Sequence, residues 1–367
     1  MSIIIFICVA LLLLAVLHAV VYEAIIVLFS ITNPLLLHSL LAVIVILGGG
    51  FISLFFITGK FNNIFTRIAS RITSVWIGLV VYLFLAISLY SILLLIVQSL
   101  NINAPTTGIG IKAIILAVLL AAYGFLNARR IRITSYNVTI PNLPESWKER
   151  KAVLVSDLHL GQVRGETFAK RVVDIIQKLN PDIVFNTGDL FDGVKVDADK
   201  IIESFRNLRV PLGIFFVMGN HEEFRDNKVF ADAIRNSGMR ILNNEKVEID
   251  GVTINGVDYM TTTDAKDLEE ILAELKLDRN KPNFLLKHVP SHLDVIEKAG
   301  INLVMSGHTH RAQIFPFMFL TKMIFKGFDY GLKSLNEMQV LVTSGVGTWG
   351  PPLRVGTKAE IVLVRFS

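Results

Sequence analysis

The chain has 367 residues, 52% of them hydrophobic and only 18% charged, with a net charge of +5 and one cysteine, Cys8. A single thiol excludes an internal disulfide and a cysteine metal site, and no dense Lys/Arg block is present of the kind that binds nucleic acid. The length suits two or three domains, and charge is divided unevenly: residues 1–127 are almost uncharged, while nearly all Lys, Arg, Asp and Glu follow them.

A helix needs about 20 apolar residues to cross a hydrocarbon core of ~30 Å. Four stretches meet or approach that length: 2–31, 35–58, 72–97 and 111–126. The first has no charged leader and an apolar run longer than a signal sequence carries, so it reads as a retained helix. Asn33-Pro34 makes a turn after it, and a loop with Pro105 separates the last two spans. Lys60, Arg67 and Arg71 lie between the second and third spans, Arg129, Arg130 and Arg132 follow the fourth, and the first turn has no basic residue. The positive-inside rule then predicts a multi-pass integral protein of the cell membrane with both termini and the C-terminal region in the cytoplasm.

His18 and Glu23 are ionisable groups inside the first span. They either mark an intramembrane site or satisfy a neighbouring helix and an interface. Gly48-Gly49-Gly50 in the second span suits close helix packing or a kink.

From Lys151 onward short β-branched runs alternate with amphipathic helices. Strands are expected at 151–156, 182–186 and 213–218, and helices at 166–179, 198–208 and 226–237. A hairpin over 245–256 turns at Asp250-Gly251, and further strands are expected at 284–287, 303–305, 339–343 and 361–365. The fold class is α/β: a two-sheet sandwich flanked by helices and preceded by four transmembrane α-helices. The expected division is a transmembrane region over 1–128, a linker over 129–150 and an α/β domain over 151–367.

Five of the six histidines beyond the membrane region fall in short motifs, each just past an expected strand. With the aspartate turns the series reads Asp157-Leu158-His159, Gly188-Asp189, Gly219-Asn220-His221-Glu222, Lys287-His288 and Gly307-His308-Thr309-His310. Strands of an α/β sheet gather functional groups at their carboxyl ends. With His221 set aside, two Asp, one Asn and four His supply oxygen and imidazole donors that suit two divalent metals such as Mn, Fe or Zn. Asp189 is the economical bridge between them. Two such ions clamp a phosphoryl group and acidify a water so that hydroxide attacks in line.

The ordered series resembles the calcineurin-like metallophosphoesterases over roughly 151–346. The closer likeness is to the membrane-attached branch of bacterial predicted phosphohydrolases, which share the S-D-L-H-L-G run and G-H-T-H. The resemblance implies the metallophosphoesterase sandwich and a binuclear metal centre. It implies one metal on Asp157, His159 and His310, a second on Asn220, His288 and His308, and Asp189 shared. It also implies that His221 does not ligate but faces the substrate and protonates the leaving oxygen. Relatives often continue G-H-T-H with G-G-Q. Here Arg311-Ala312-Gln313 follows, and Arg311 is expected either to narrow the site or to bind a substrate phosphate.

His292, outside the motifs, is expected on the surface at a helix start, and Glu222 is expected to hydrogen-bond a ligand or a neighbouring loop. The apolar run over 314–328 either packs on the domain or forms a membrane-facing lip whose Lys322 and Lys326 meet anionic headgroups. A lip would favour a lipid phosphoester or lipid-linked pyrophosphate as substrate, with a soluble nucleotide or a phosphoprotein as the alternative. The loop over 344–350 with Trp349 either shapes the pocket mouth or is an ordinary turn. Two other functional classes compete. A membrane-tethered non-catalytic module is disfavoured because every ligand position is filled. A transporter or sensor is disfavoured because the spans carry few charges.

Overall fold

The computed structural model describes residues 3–58, 63–102, 105–193, 196–223 and 227–367. Ser2, Lys60 and Asp226, which entered the expectations above, lie outside the described residues. The chain divides into two compact units, Met1–Asn127 with Gly350–Val355, and Ala128–Trp349 with Gly356–Ser367.

The first unit holds four helices: α1 (Ile3–Phe29), α2 (Pro34–Ile57), α3 (Ile64–Ser99) and α4 (Thr106–Ala128). All four are long and apolar enough to cross a membrane. Asn33 starts α2, its Oδ1 accepting from the backbone of Leu35 at 2.9 Å and Leu36 at 3.3 Å. Asn63 and Thr66 start α3 with a reciprocal capping pair. α3 begins earlier than the expected span, so Arg67 and Arg71 ride on helix rather than loop. Its 36 residues reach about 54 Å at 1.5 Å each, well beyond a ~30 Å core.

His18 is buried among these helices. Trp76 Nε1 donates to its Nε2 at 3.0 Å. Because that nitrogen must accept, Nδ1 carries the proton and donates to Leu14 O at 2.7 Å. A side chain on Gly48 would stand 2.7 Å from His18 Nε2, so the glycine lets α2 close on α1. His18 is thus a satisfied packing residue, and Glu23 is exposed. The segment Gly350–Val355 belongs to this unit: Arg354 N donates to Gly124 O and Asn127 Nδ2 to Arg354 O, both at 2.9 Å.

The second unit contains β1 (Ile131–Val138), β2 (Lys151–Val155), α5 (Glu166–Leu179), β3 (Ile183–Asn186), α6 (Ala198–Ile201), β4 (Ile214–Phe216), α7 (Asn220–Glu223), α8 (Asn227–Asn236), β5 (Met239–Ile241), β6 (Glu245–Ile249) and β7 (Val252–Gly256). It continues with α9 (Ala265–Glu274), β8 (Asn283–Leu286), α10 (Leu293–Ala299), β9 (Leu303–Ser306), α11 (Met318–Ile324), β10 (Gly331–Leu335), β11 (Met338–Val342) and β12 (Ala359–Phe366). Two six-stranded sheets result, ordered β1-β12-β2-β3-β4-β5 and β10-β11-β9-β8-β7-β6.

The strands β2, β3, β4 and β5 are parallel neighbours in one sheet, as are β7, β8, β9 and β11 in the other. Their carboxyl ends therefore share an edge in each sheet. Both faces of these strands are covered, which explains their continuous apolar runs. Leu154, Phe185, Phe284, Leu286 and Phe366 fill the layer between the sheets with Trp147. Ala169, Val172, Val173 and Ile176 of α5 cover the outer face of the first sheet, and Leu268, Leu272 and Ile296 of α9 and α10 cover that of the second.

The structure bears out the two-sheet sandwich. The hairpin turns where expected, with Ile249 paired to Val252 and positive φ at Asp250 (47°) and Gly251 (86°). Two segments differ. Residues 131–138 of the expected linker form β1, paired in parallel with β12. The helix expected over 198–208 breaks after Ile201 into a tight turn at Glu203–Asn207.

Candidate metal centre

Each expected ligand, and His221, lies in the first few residues beyond a parallel strand, with Asn220 and His221 opening the short helix α7. β2 delivers Asp157 and His159, β3 delivers Asp189, β4 delivers Asn220 and His221, β8 delivers His288, and β9 delivers His308 and His310. The loops turn sharply. Asp157, His159, Asp189, His308 and His310 all take left-handed backbone, with φ of 54°, 48°, 52°, 65° and 47°. Such positions cost a non-glycine residue about 1–3 kcal/mol each. Here a donor atom is worth more than the freedom of glycine. Glycine is kept where the loops touch: a Cβ on Gly219 would overlap Asp189 Oδ1, and one on Gly307 would overlap Ser156 Oγ and Asp157 Oδ2.

Two nests of donor atoms result. In the first, His159 Nε2 and His310 Nε2 are 3.0 Å apart, with Asp157 Oδ1 at 3.5 Å from His310 and 4.0 Å from His159. In the second, His288 Nε2 lies 3.1 Å from His308 Nδ1, 3.1 Å from Asn220 Oδ1 and 3.3 Å from Asp189 Oδ2. Asp189 faces both, since its Oδ2 is also 3.7 Å from His159 Nε2 and 4.0 Å from His221 Nε2. Asp157 ties the two sheets together by accepting the His308 backbone N–H on both oxygens, at 3.1 and 3.0 Å. All seven expected ligands are brought together. His221, expected to face the substrate rather than to ligate, falls within reach of His159 and Asp189 as a third donor.

Charges compressed in this way perturb one another. Burial lowers His308 to about 3, and the neighbouring charge of His288 pushes the same way. Burial also works against a charged His288, but Asp189 and Asp157 outweigh it and hold the group up at about 9. Burial would raise Asp189, yet His288 beside it keeps its carboxyl well below the usual range. His221 is lowered by burial, although Asp189 pulls it back.

Imidazole nitrogens 3.0–3.1 Å apart share one N–H···N hydrogen bond in the absence of a cation, and with that proton lost their lone pairs converge on the same point. The His288 Nδ1–H donates to Thr187 O at 2.6 Å, the usual way in which a ligating histidine is oriented with its other nitrogen free. Neutral imidazole, carboxylate and amide oxygen in one buried cluster fit divalent cations of the Mn, Fe or Zn type.

Comparison with known proteins agrees with this geometry. A family model described as calcineurin-like phosphoesterase matches residues 150–312. An uncharacterized metallophosphoesterase of Aquifex aeolicus is 35% identical over 261 residues, covering 68% of this chain and 97% of that protein. The chain belongs to the calcineurin-like phosphoesterase family. This phosphoesterase is also 35% identical over 261 residues to an uncharacterized metallophosphoesterase of Campylobacter jejuni, covering 70% of this chain and 69% of the other. A transmembrane protein with metallophosphoesterase domain from Danio rerio is 30% identical over 270 residues, covering 68% of this chain and 61% of that one. The protein is therefore a phosphoester hydrolase by family. Its four helices, each long and apolar enough to cross a membrane, mark it as a membrane protein.

Asp192, Thr187 and Tyr259 are neighbours of the site in this phosphoesterase that escape a reading of motifs. Asp192 Oδ1 lies 3.3 Å from His159 Nδ1 and turns the ring toward the cluster. Its signal was a second aspartate three residues past Asp189. Thr187 acts through a backbone carbonyl, which no residue type announces. Glu222 is fully buried and accepts from the backbone of Asp189 and Phe191 at 2.9 Å and of Gly219 at 3.0 Å, locking the loops after β3 and β4 together. The rings of Tyr259, Phe325 and Trp349 edge the site at 6.1, 6.5 and 6.3 Å from His288, His308 and His221. Gln313 holds Trp349 by two hydrogen bonds of 3.1 Å, one in each direction. Arg311 stands over the Tyr330 ring at 4.7 Å. His292 sits just before α10, its Nε2 3.0 Å from Thr263 O.

Proposed function

We propose that the phosphoesterase cleaves a phosphoester or pyrophosphate bond with two divalent cations, on a lipid-linked substrate, at the cytoplasmic face of the membrane. In this reading residues 1–128 anchor the protein and residues 151–367 carry the chemistry. The supporting observation is the paired convergence of His159 on His310 and of His288 on His308, with Asp189 facing both pairs.

Asp157, His159 and His310 would hold one ion, Asn220, His288 and His308 the other, and Asp189 would share its carboxylate. Two divalent cations supply positive charge against the phosphoryl oxygens and acidify a water for in-line attack on phosphorus. The chain's own part is to hold that arrangement dry and rigid. Asp192 and Thr187 fix the histidine rings, and Glu222 fixes the loops. His221 lies at the rim, where burial lowers its pKa and the pull of Asp189 and Asp192 offsets only part of that effect. An arriving phosphate adds negative charge to that pull. His221 would give its proton to the leaving oxygen as the P–O bond breaks. Arg311 would serve a substrate phosphate only after leaving Tyr330.

The cytoplasmic placement follows from Arg67, Arg71, Arg129, Arg130 and Arg132 on one side of the spans. The test is turnover by the full-length protein supplied with Mn, Fe or Zn, against bis-p-nitrophenyl phosphate, nucleotides and lipid pyrophosphates. Hydrolysis in the parent, and a slower rate in His221→Ala that falls furthest on the substrates with poor leaving groups, is the expected result. No turnover of any substrate with metal bound would leave a membrane-tethered binding module as the better reading.

A further inference from the structure

We infer that the segment around α11 is a lip that enters the bilayer interface and supplies the site with phosphoester from the lipid. The inference rests on the hydrolase reading above and names the surface by which a lipid substrate is reached.

Among the described residues of the second unit, ten large hydrophobic side chains are exposed, and six of them fall between Phe315 and Ile324. Met323 is 74% exposed, Phe319 63%, Ile324 61% and Leu320 50%. No residue of α11 is buried. Water solvates such a patch poorly, and a contiguous one marks an interaction surface. Lys322 and Lys326 are exposed beside it and offer charge to anionic headgroups.

The lip is built onto the site. Thr309, between the ligand candidates His308 and His310, donates to Asp329 O at 2.7 Å, and Thr321 of α11 donates to Asp329 Oδ2 at 3.3 Å. Phe325, one residue past α11, brings its ring 6.5 Å from that of His308. An acyl or prenyl chain lying along this surface would leave its phosphate at the donor cluster.

Lipid is the occupant the chain itself points to. Four of its helices have bilayer length. The chain leaves the second unit at Trp349, runs through the helical unit as Gly350–Val355 and returns at Gly356. Met318 of α11 lies against Gly356 so closely that a Cβ there would overlap it. The lip is therefore packed on the residue at which the chain re-enters the second unit.

The test uses the full-length protein in vesicles of phosphatidylethanolamine and phosphatidylglycerol. A spin label is placed at Met323→Cys in a Cys8→Ala background, with a control label at Glu269→Cys on exposed α9. The label at 323 should collide with oxygen and be at least tenfold less accessible to a water-soluble nickel chelate than the control. Equal nickel access at the two positions overturns the lip. Shielding from both oxygen and nickel also overturns it, since that marks a protein partner or a second copy. Leu320→Glu with Met323→Glu should lower turnover of dioleoyl phosphatidic acid or farnesyl pyrophosphate in those vesicles at least tenfold. An unchanged rate, or no turnover of either lipid by the parent, overturns supply from the lipid. A parent that cleaves bis-p-nitrophenyl phosphate while the label reports water loses the lip and keeps the hydrolase. A parent that cleaves nothing while the label reports lipid loses the hydrolase and the supply of lipid to it, and keeps only the lip in the bilayer.

Discussion

His288 and Thr187 are joined by a 2.6 Å hydrogen bond from imidazole Nδ1 to backbone carbonyl, and this bond turns Nε2 toward Asp189 and Asn220. In the metal-free protein that nitrogen carries a proton, because Asp189 and Asp157 hold His288 at about 9 despite its burial.

A cation entering the second nest must displace this proton. The sign follows directly: below about pH 9 the proton is bound and competes, so apparent metal affinity should rise with pH and level off near 9. Zinc or manganese titrated into chelator-treated protein near pH 7.5 should release about one proton, visible as a heat that changes with the buffer's ionisation enthalpy. A buffer-independent heat would refute the displacement.

His221→Ala should lower kcat by about 10²–10⁴, the usual contribution of a positioned acid. Metal content should stay near that of the parent, because the seven other donors remain. The effect should be smallest on substrates whose leaving group needs no proton, such as p-nitrophenolate. Equal losses on good and poor leaving groups would remove the acid role from His221.

Asp189→Asn should lower metal content and rate together. The carboxylate faces both nests, within 3.3 Å of His288 Nε2 and 3.7 Å of His159 Nε2. Its charge also restrains two histidines, so removing it weakens each nest at once. Metal analysis of purified protein should show about one equivalent or fewer. Two retained equivalents would show that Asp189 is not shared.

Much of the sandwich and of the donor cluster was legible in the sequence, for a physical reason. Parallel strands buried on both faces must be unbroken runs of apolar residues, and the loops after them must turn at once. Asp157, Asp189 and His308 therefore stood out as polar residues directly after such runs. What stayed hidden had weaker signatures. β1 is an edge strand whose alternating Ile131, Ile133 and Ser135 sit among arginines that read as membrane-flanking charge. The three-residue β5 is too short for periodicity to register. Thr187 works through its backbone, and Asp192 looks like one more loop aspartate. Helix α11 is apolar apart from Thr321 and Lys322, which is why it could be read either as packed or as a lip.

Glu222→Gln isolates the clamp between the loops after β3 and β4. The native carboxylate accepts three backbone N–H groups and is fully buried. An amide of the same size turns a donor toward one or more of those N–H groups, and each buried donor left unpaired costs about 1–3 kcal/mol. The metal-loaded variant should therefore melt several degrees lower and lose rate through displaced Asp189 and Asn220. Burial, with Asp189 adding to it, raises Glu222 to about 7 when no cation is present. A carboxyl raised on folding binds its proton more tightly in the native state, so its contribution to stability falls as pH rises from about 4.5 to about 7. Chelator-treated parent should lose melting temperature over that window. Glutamine cannot ionise, so the variant should lack that part of the slope, and the difference between the two curves measures Glu222 apart from the other carboxyls. Parallel curves for parent and variant would mean that the buried carboxyl does not titrate there.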